Sequence, residues 1–82
     1  MITWEEFTEL IRSQIPNREL AKSVEIMPET RLIEDLEYDS IAIVELLSKI
    51  EEDYGVDYTT LPDFLERVNV CRDIYEGIQE LL

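Results

Sequence analysis

The sequence predicts an all-α domain, a four-helix bundle with a long first loop and a short third helix. Three observations carry that expectation. Apolar residues recur at the helical interval in four separate stretches. Pro16 and Gly55 stand where two of those stretches would have to stop. The length of 82 residues and the 45% hydrophobic content suit one core and leave little room for a second lobe with an enclosed active site.

In the first helix, predicted over residues 3 to 15, Thr3 and Glu6 have the spacing of a capping box, and Trp4, Phe7, Leu10, Ile11 and Ile15 form the apolar stripe. Residues 16 to 39 form the long loop. Val24, Ile26, Met27, Leu32, Ile33 and Leu36 are spread through it and are expected to pack it along the bundle, and "NRELAKSV" suits an added helical turn. The second helix, residues 41 to 54, is the most regular: Ile43, Leu46, Leu47, Ile50 and Tyr54 fall in a narrow arc, and Gly55 is the expected stop.

Leu61, Phe64, Leu65 and Val68 have the i, i+3, i+4, i+7 spacing of a short third helix, with Thr60 as its cap and Pro62 tolerated in its first turn. Val70, Ile74, Ile78 and Leu81 line a fourth helix that Asn69 is expected to cap. Gly77 in its interior costs about 1 kcal/mol relative to alanine. No repeat, linker or low-complexity tract divides the chain, so residues 1 to 82 are expected to form a single domain.

Twenty acidic against seven basic side chains give a formal charge of −13. Such a chain repels nucleic acid and anionic membrane and favours partners with basic patches. The N-terminus "MITWEEFTEL" lacks the basic start and apolar run of a signal peptide, and no apolar run is long enough to span a bilayer. A soluble, cytoplasmic monomer is expected. Cys71 has no second cysteine to pair with, and a lone cysteine on a helical apolar edge reads as core.

The chain has no histidine, so the commonest general base and metal ligand is missing and a serine-histidine-acid triad is impossible. Two glycines cannot build a phosphate-binding loop or a dinucleotide fingerprint. The run "EEDYGVDY" lacks the alternating ligands and terminal glutamate of a calcium loop, so no metal site is expected. An enzyme is therefore not expected.

What stands out is Ser40, beside Asp39 at the start of the second helix. Either residue could cap the helix by accepting a hydrogen bond from its first free amides, and an isolated Asp-Ser would ordinarily do only that. Ile41, Glu45, Ser48 and Glu52 lie opposite the core arc, which makes Ile41 an apolar residue pointing outward from an acidic face. That pattern suits a docking surface.

The stretch "DLEYDSIAIVELLSKIEEDYGVDY" resembles the signature of acyl carrier proteins, in which Asp-Ser-Leu or Asp-Ser-Ile opens the second helix and is followed by Val-Glu-Leu. The resemblance implies that Ser40 carries a covalent 4′-phosphopantetheine arm, placed there from coenzyme A by a phosphopantetheinyl transferase. It implies that Asp39 precedes the attachment residue and, with Asp35 nearby, helps position the transferase's magnesium. The other partners it implies are ligases that load acyl or aminoacyl groups, and synthase enzymes with basic docking patches.

Glu37 and Tyr38 stand where fatty-acid carriers usually have glycine and a small residue, Ala42 where many have an acid, and Ser48 where an exposed methionine is frequent. The Gly-Gly of many peptidyl carriers is also absent. A carrier in a specialised lipid or polyketide pathway is therefore expected. An aminoacyl carrier of D-alanyl or peptidyl type is the nearest alternative. An acidic helical adaptor, in which Ser40 is only a cap, is the alternative of another class.

Overall fold

A computed structural model describes residues 1–82. The chain is all-α, with five helices rather than four: α1 (Trp4–Ser13), α2 (Arg18–Ser23), α3 (Leu32–Leu36), α4 (Ser40–Tyr54) and α5 (Cys71–Leu81). The three long helices α1, α4 and α5 meet in one core that includes Phe7, Ile11, Leu46, Ile50, Ile74 and Ile78.

The start of α1 follows from its sequence. Thr3 Oγ1 accepts the Glu6 N–H at 3.1 Å and the Glu6 carboxylate accepts the Thr3 N–H at 3.0 Å, closing the expected capping box. Tyr75 Oη and Gln79 Nε2, both on α5, donate to the Ile2 carbonyl at 3.0 and 2.6 Å. The ring of Tyr75 also meets those of Trp4 and Phe7, with centroids 5.2 and 5.4 Å away. The beginning of α1 is thus fastened to the last turns of α5.

The long first loop is corrected in part: it holds α2, where "NRELAKSV" was expected to add a turn, and also α3, which was not expected. Asn17 caps α2, its Oδ1 accepting from the N–H groups of Glu19 and Leu20 at 3.1 and 3.2 Å. The neighbouring ends of α1 and α2 are then satisfied by exchange. Arg12 of α1 donates to Ala21 and Val24 carbonyls at the end of α2, at 2.6 and 3.0 Å, and Arg18 of α2 donates to the Ile15 carbonyl at 2.9 Å. Ile26, Leu32 and Leu36 are buried as expected, but Met27 and Ile33 are exposed.

Asn69 does not cap α5. It caps α3: its carbonyl and its Oδ1 accept the N–H groups of Leu32 and Ile33 at 2.8 and 3.1 Å. The open amides of α5 go elsewhere, Cys71 to the Thr30 carbonyl at 2.9 Å and Arg72 to the Pro28 carbonyl at 2.8 Å. These crossed bonds lace residues 28–33 to residues 69–72, where Arg31 and Val70 form an isolated antiparallel bridge.

The predicted third helix is absent. After α4, a single 3₁₀ turn at Tyr58–Thr60 leads into successive turns through residues 61–69, held by i to i+3 bonds such as Glu66 N–H to Asp63 carbonyl at 3.0 Å. Thr60 does not cap; its hydroxyl donates to the Asp57 carbonyl at 2.7 Å. Leu61, before Pro62, is extended, as the proline ring demands.

α4 itself is as regular as its spacing. Leu46 and Ile50 are fully buried, Ile43, Leu47 and Tyr54 half-buried, and Gly55 ends the helix in the left-handed conformation at φ 69°. Gly77, inside α5, has a packing reason: a Cβ there would lie 2.6 Å from Tyr58 Oη.

Candidate functional site

The segment before α4 is tied to both α1 and the cap of α2. Tyr38 is buried and its hydroxyl donates to the Ile11 carbonyl of α1 at 2.8 Å. Burial holds its phenol above the usual tyrosine range. Glu37 ends α3 in the left-handed region at φ 58°, a conformation that costs a residue with a Cβ about 1–2 kcal/mol. Asn17 Nδ2 donates to its carboxylate at 3.3 Å.

Asp39 then turns the chain into α4. Its backbone is extended and its Oδ1 accepts the Ala42 N–H at 2.8 Å, so the cap of α4 is the aspartate. Ser40 is the first helical residue, exposed, and its hydroxyl has no partner within the chain. Ser40 is therefore not the cap, contrary to the part that the adaptor reading gave it. The amides of Ser40 and Ile41 also find no acceptor, so the hydroxyl stands where open N–H groups and the positive end of the α4 dipole favour an anion.

The outer face of α4 carries Ile41, Glu45, Ser48 and Glu52, all exposed, with Ile41 69% accessible. Val44, 62% accessible, stands one turn beyond Ile41 and was not among the expected docking residues. Its i+3 spacing from Ile41 was the available signal. In the other direction, Ala42, not expected in the core, is buried.

Asp35 lies on α3, exposed, with Oδ2 accepting the Arg31 N–H at 2.8 Å. No group of three or more carboxylate, cysteine or histidine side chains converges in a way that could hold a metal. The positive charges are largely engaged elsewhere. Lys22, Arg31, Lys49 and Arg67 pair with Glu19, Glu34, Asp53 and Glu80, and Arg12 and Arg18 serve helix ends. Glu37, Asp39, Glu45 and Glu52 have no ion-pair partner.

Cys71 is fully buried, and that burial pushes its thiol up to about 12. It is core, as its sequence position suggested. No helix is long and apolar enough to cross a membrane.

A small helical body that offers an unpartnered serine hydroxyl at the open amino end of its longest helix, in a chain with no histidine to activate it, is suited to carrying a group that another protein attaches. The comparisons with known proteins agree. Residues 9–75 match the family described as phosphopantetheine attachment site. An acyl carrier protein of Helicobacter hepaticus (strain ATCC 51449 / 3B1) is 36% identical over 56 residues, which cover 67% of this chain and 70% of that relative. No solved structure matches. The chain belongs to the acyl carrier protein family, carriers rather than enzymes, whose covalent group is 4′-phosphopantetheine.

Proposed function

We propose that Ser40 is the attachment residue and that the chain shuttles thioester-bound acyl intermediates between enzymes of a specialised lipid or polyketide pathway. The observation that carries this is the free Ser40 hydroxyl beside a cap supplied by Asp39. The donor set fits the group, since a phosphodiester at Ser40 Oγ would sit against the open amides of Ser40 and Ile41. When bound, the arm supplies a terminal thiol that holds an acyl group as a thioester.

In the attachment step Ser40 Oγ forms a bond to the pantetheine-side phosphorus of coenzyme A, the adenine nucleotide leaves, and the hydroxyl proton passes to a base of the transferase. The chain's own contribution is to hold the hydroxyl exposed and unpaired, with the α4 dipole behind it. Asp39, beside Ser40, and Asp35 of α3 are the acids that would help position the transferase's magnesium. Of these, Asp39 keeps only one oxygen in the cap, so the other is available.

Partners are proposed to read the face made by Ile41, Glu45, Ser48 and Glu52, with Val44 between them. Its unpaired acids around apolar contacts suit basic docking patches on the transferase, the loading ligase and the synthase. Such charges act mainly on association rate and the apolar contacts on complex lifetime. Support for a specialised carrier comes from Glu37, which occupies a left-handed position that glycine fills without strain.

The test is incubation with a broad-specificity transferase and coenzyme A, read by intact mass. One pantetheinyl phosphate adduct is expected on the wild type and on Ser48→Ala, and none on Ser40→Ala. An adduct that survives Ser40→Ala would overturn the assignment. Glu45→Lys should slow the modification and flatten its salt dependence.

A further inference from the structure

An acyl group on an arm at Ser40 has two places to ride: between the helices or in solvent. The ring of Tyr58, just beyond the end of α4, bears on that choice. Tyr58 is fully buried, and its Oη, Cε1 and Cζ would lie 2.6, 2.7 and 2.9 Å from a Cβ at Gly77. The phenol therefore rests directly on the bare backbone of α5, which only glycine permits.

Its hydroxyl is anchored as well. Tyr58 Oη donates to the Arg67 carbonyl at 2.5 Å and lies 3.3 Å from the Asp73 carbonyl, reaching from the turn after α4 to the first turn of α5. Burial pushes its phenol up to about 12. The 3₁₀ turn that bears it contacts both α4 and α5. The inward residues of those helices, Leu46, Ile50, Ile74 and Ile78, are fully buried in the same core as Tyr58, and no pocket opens into it.

For an alkyl chain to enter, the phenol would have to leave. It would strip the Arg67 carbonyl of its donor and expose the Gly77 face, losses that a smaller aliphatic residue at position 58 would not incur. We propose that Tyr58, seated on Gly77, closes the α4–α5 seam to cargo, so that the acyl group rides in solvent and the natural cargo is short or polar. The proposal rests on Ser40 as the attachment residue.

The test uses the transferase with acetyl- and octanoyl-coenzyme A on the wild type, Tyr58→Phe and Tyr58→Val. Intact mass reports loading, thermal unfolding reports Tm, and the methyl spectra of Ile50, Ile74 and Ile78 report the core. In the wild type and in Tyr58→Phe, which keeps the ring, the two cargoes should give the same Tm and the same core spectra. In Tyr58→Val the octanoyl form should melt higher than the acetyl form and shift the core methyls.

An octanoyl wild type with raised Tm and shifted core methyls would overturn the proposal while leaving Ser40 as the attachment residue. A Tyr58→Val protein that folds but leaves octanoyl outside would overturn the role given to Tyr58. If Tyr58→Val does not fold, the wild-type pair decides alone. Failure to load any chain would overturn the Ser40 assignment and this proposal together.

Discussion

In α4, residues at helical spacing are buried by a 15-residue helix with an aspartate cap at one end and a left-handed glycine at the other. In residues 61–69 the same i, i+3, i+4, i+7 spacing yields successive turns, with Leu61 buried, Phe64 half-buried and Leu65 76% exposed. The two segments differ in what claims their backbone. Beyond the open amides of Ser40 and Ile41, α4 bonds within itself and to its own caps, from Asp39 to the Gly55 N–H that bonds the Glu51 carbonyl at 2.8 Å. In the other segment the Arg67 carbonyl is taken by Tyr58 and the Asn69 carbonyl by Leu32, so distant partners bend the chain away from a helical ladder. Periodicity alone does not make a helix when length is short and tertiary bonds compete.

The largest effect should come from the buried arc of α4. Leu46→Ala or Ile50→Ala is expected to cost about 2–5 kcal/mol in urea denaturation, because each side chain is fully enclosed. A cost below about 1 kcal/mol at both sites would mean that the core face of α4 is wrongly placed.

Next come the caps. Asp39→Ala should cost about 0.5–2 kcal/mol by losing the bond to Ala42, and Asn69→Ala a similar amount by opening the start of α3. Ser40→Ala, with no bond to lose, should stay within about 0.5 kcal/mol. If Ser40→Ala were the costlier change of the pair at residues 39 and 40, the serine would be the cap after all.

These same residues mark how far the sequence could be read. The capping box of α1, the run of α4, the Gly55 stop and the outward Ile41 were legible because each is a local pattern over a few residues. Ser40 was legible as a candidate, but its freedom was not, since the choice between Asp39 and Ser40 as cap depends on backbone angles that the letters do not state. Asn69 stands just before α5 in sequence and serves α3 in space, a long-range choice with no local signal. Gly77 looked like a weakness in α5 until Tyr58 was seen to rest on it. Val44 could have been found, by the spacing that already drew attention to Ile41.

A smaller, pH-dependent contrast tests the Asn69 bridge. The Asn69 amide donates to the Glu34 carboxylate at 2.9 Å and, with Arg31 adding to it, holds that carboxyl below its usual range. A carboxyl held low in the folded state adds stability that is present above its ordinary value near 4.5 and lost as pH falls through the lowered one. The wild type should therefore lose more stability than Asn69→Ala as pH drops below that ordinary value, measured by urea midpoints at a series of pH values. Parallel profiles would show that the amide does not act on Glu34.

The smallest expected effect is at Leu65, and it separates the two segments most cleanly. A helix over residues 60–68 with the predicted stripe would bury Leu65, and truncating it would then resemble Leu46→Ala, at about 2–5 kcal/mol. In the turns that form instead, the side chain projects into solvent, so Leu65→Ala should stay within about 0.5 kcal/mol. Circular dichroism should likewise be unchanged, because no helical residue is altered. The segment's order comes from tethers that Leu65 does not touch: Arg67 pairs with Asp63 at 3.6 Å and with Glu80 of α5, and Tyr58 bonds the Arg67 carbonyl. Arg67→Ala should accordingly destabilise the chain more than Leu65→Ala, even though a helix read from apolar spacing alone would rank them the other way. A Leu65→Ala cost of several kcal/mol would place that side chain in the core and restore the third helix.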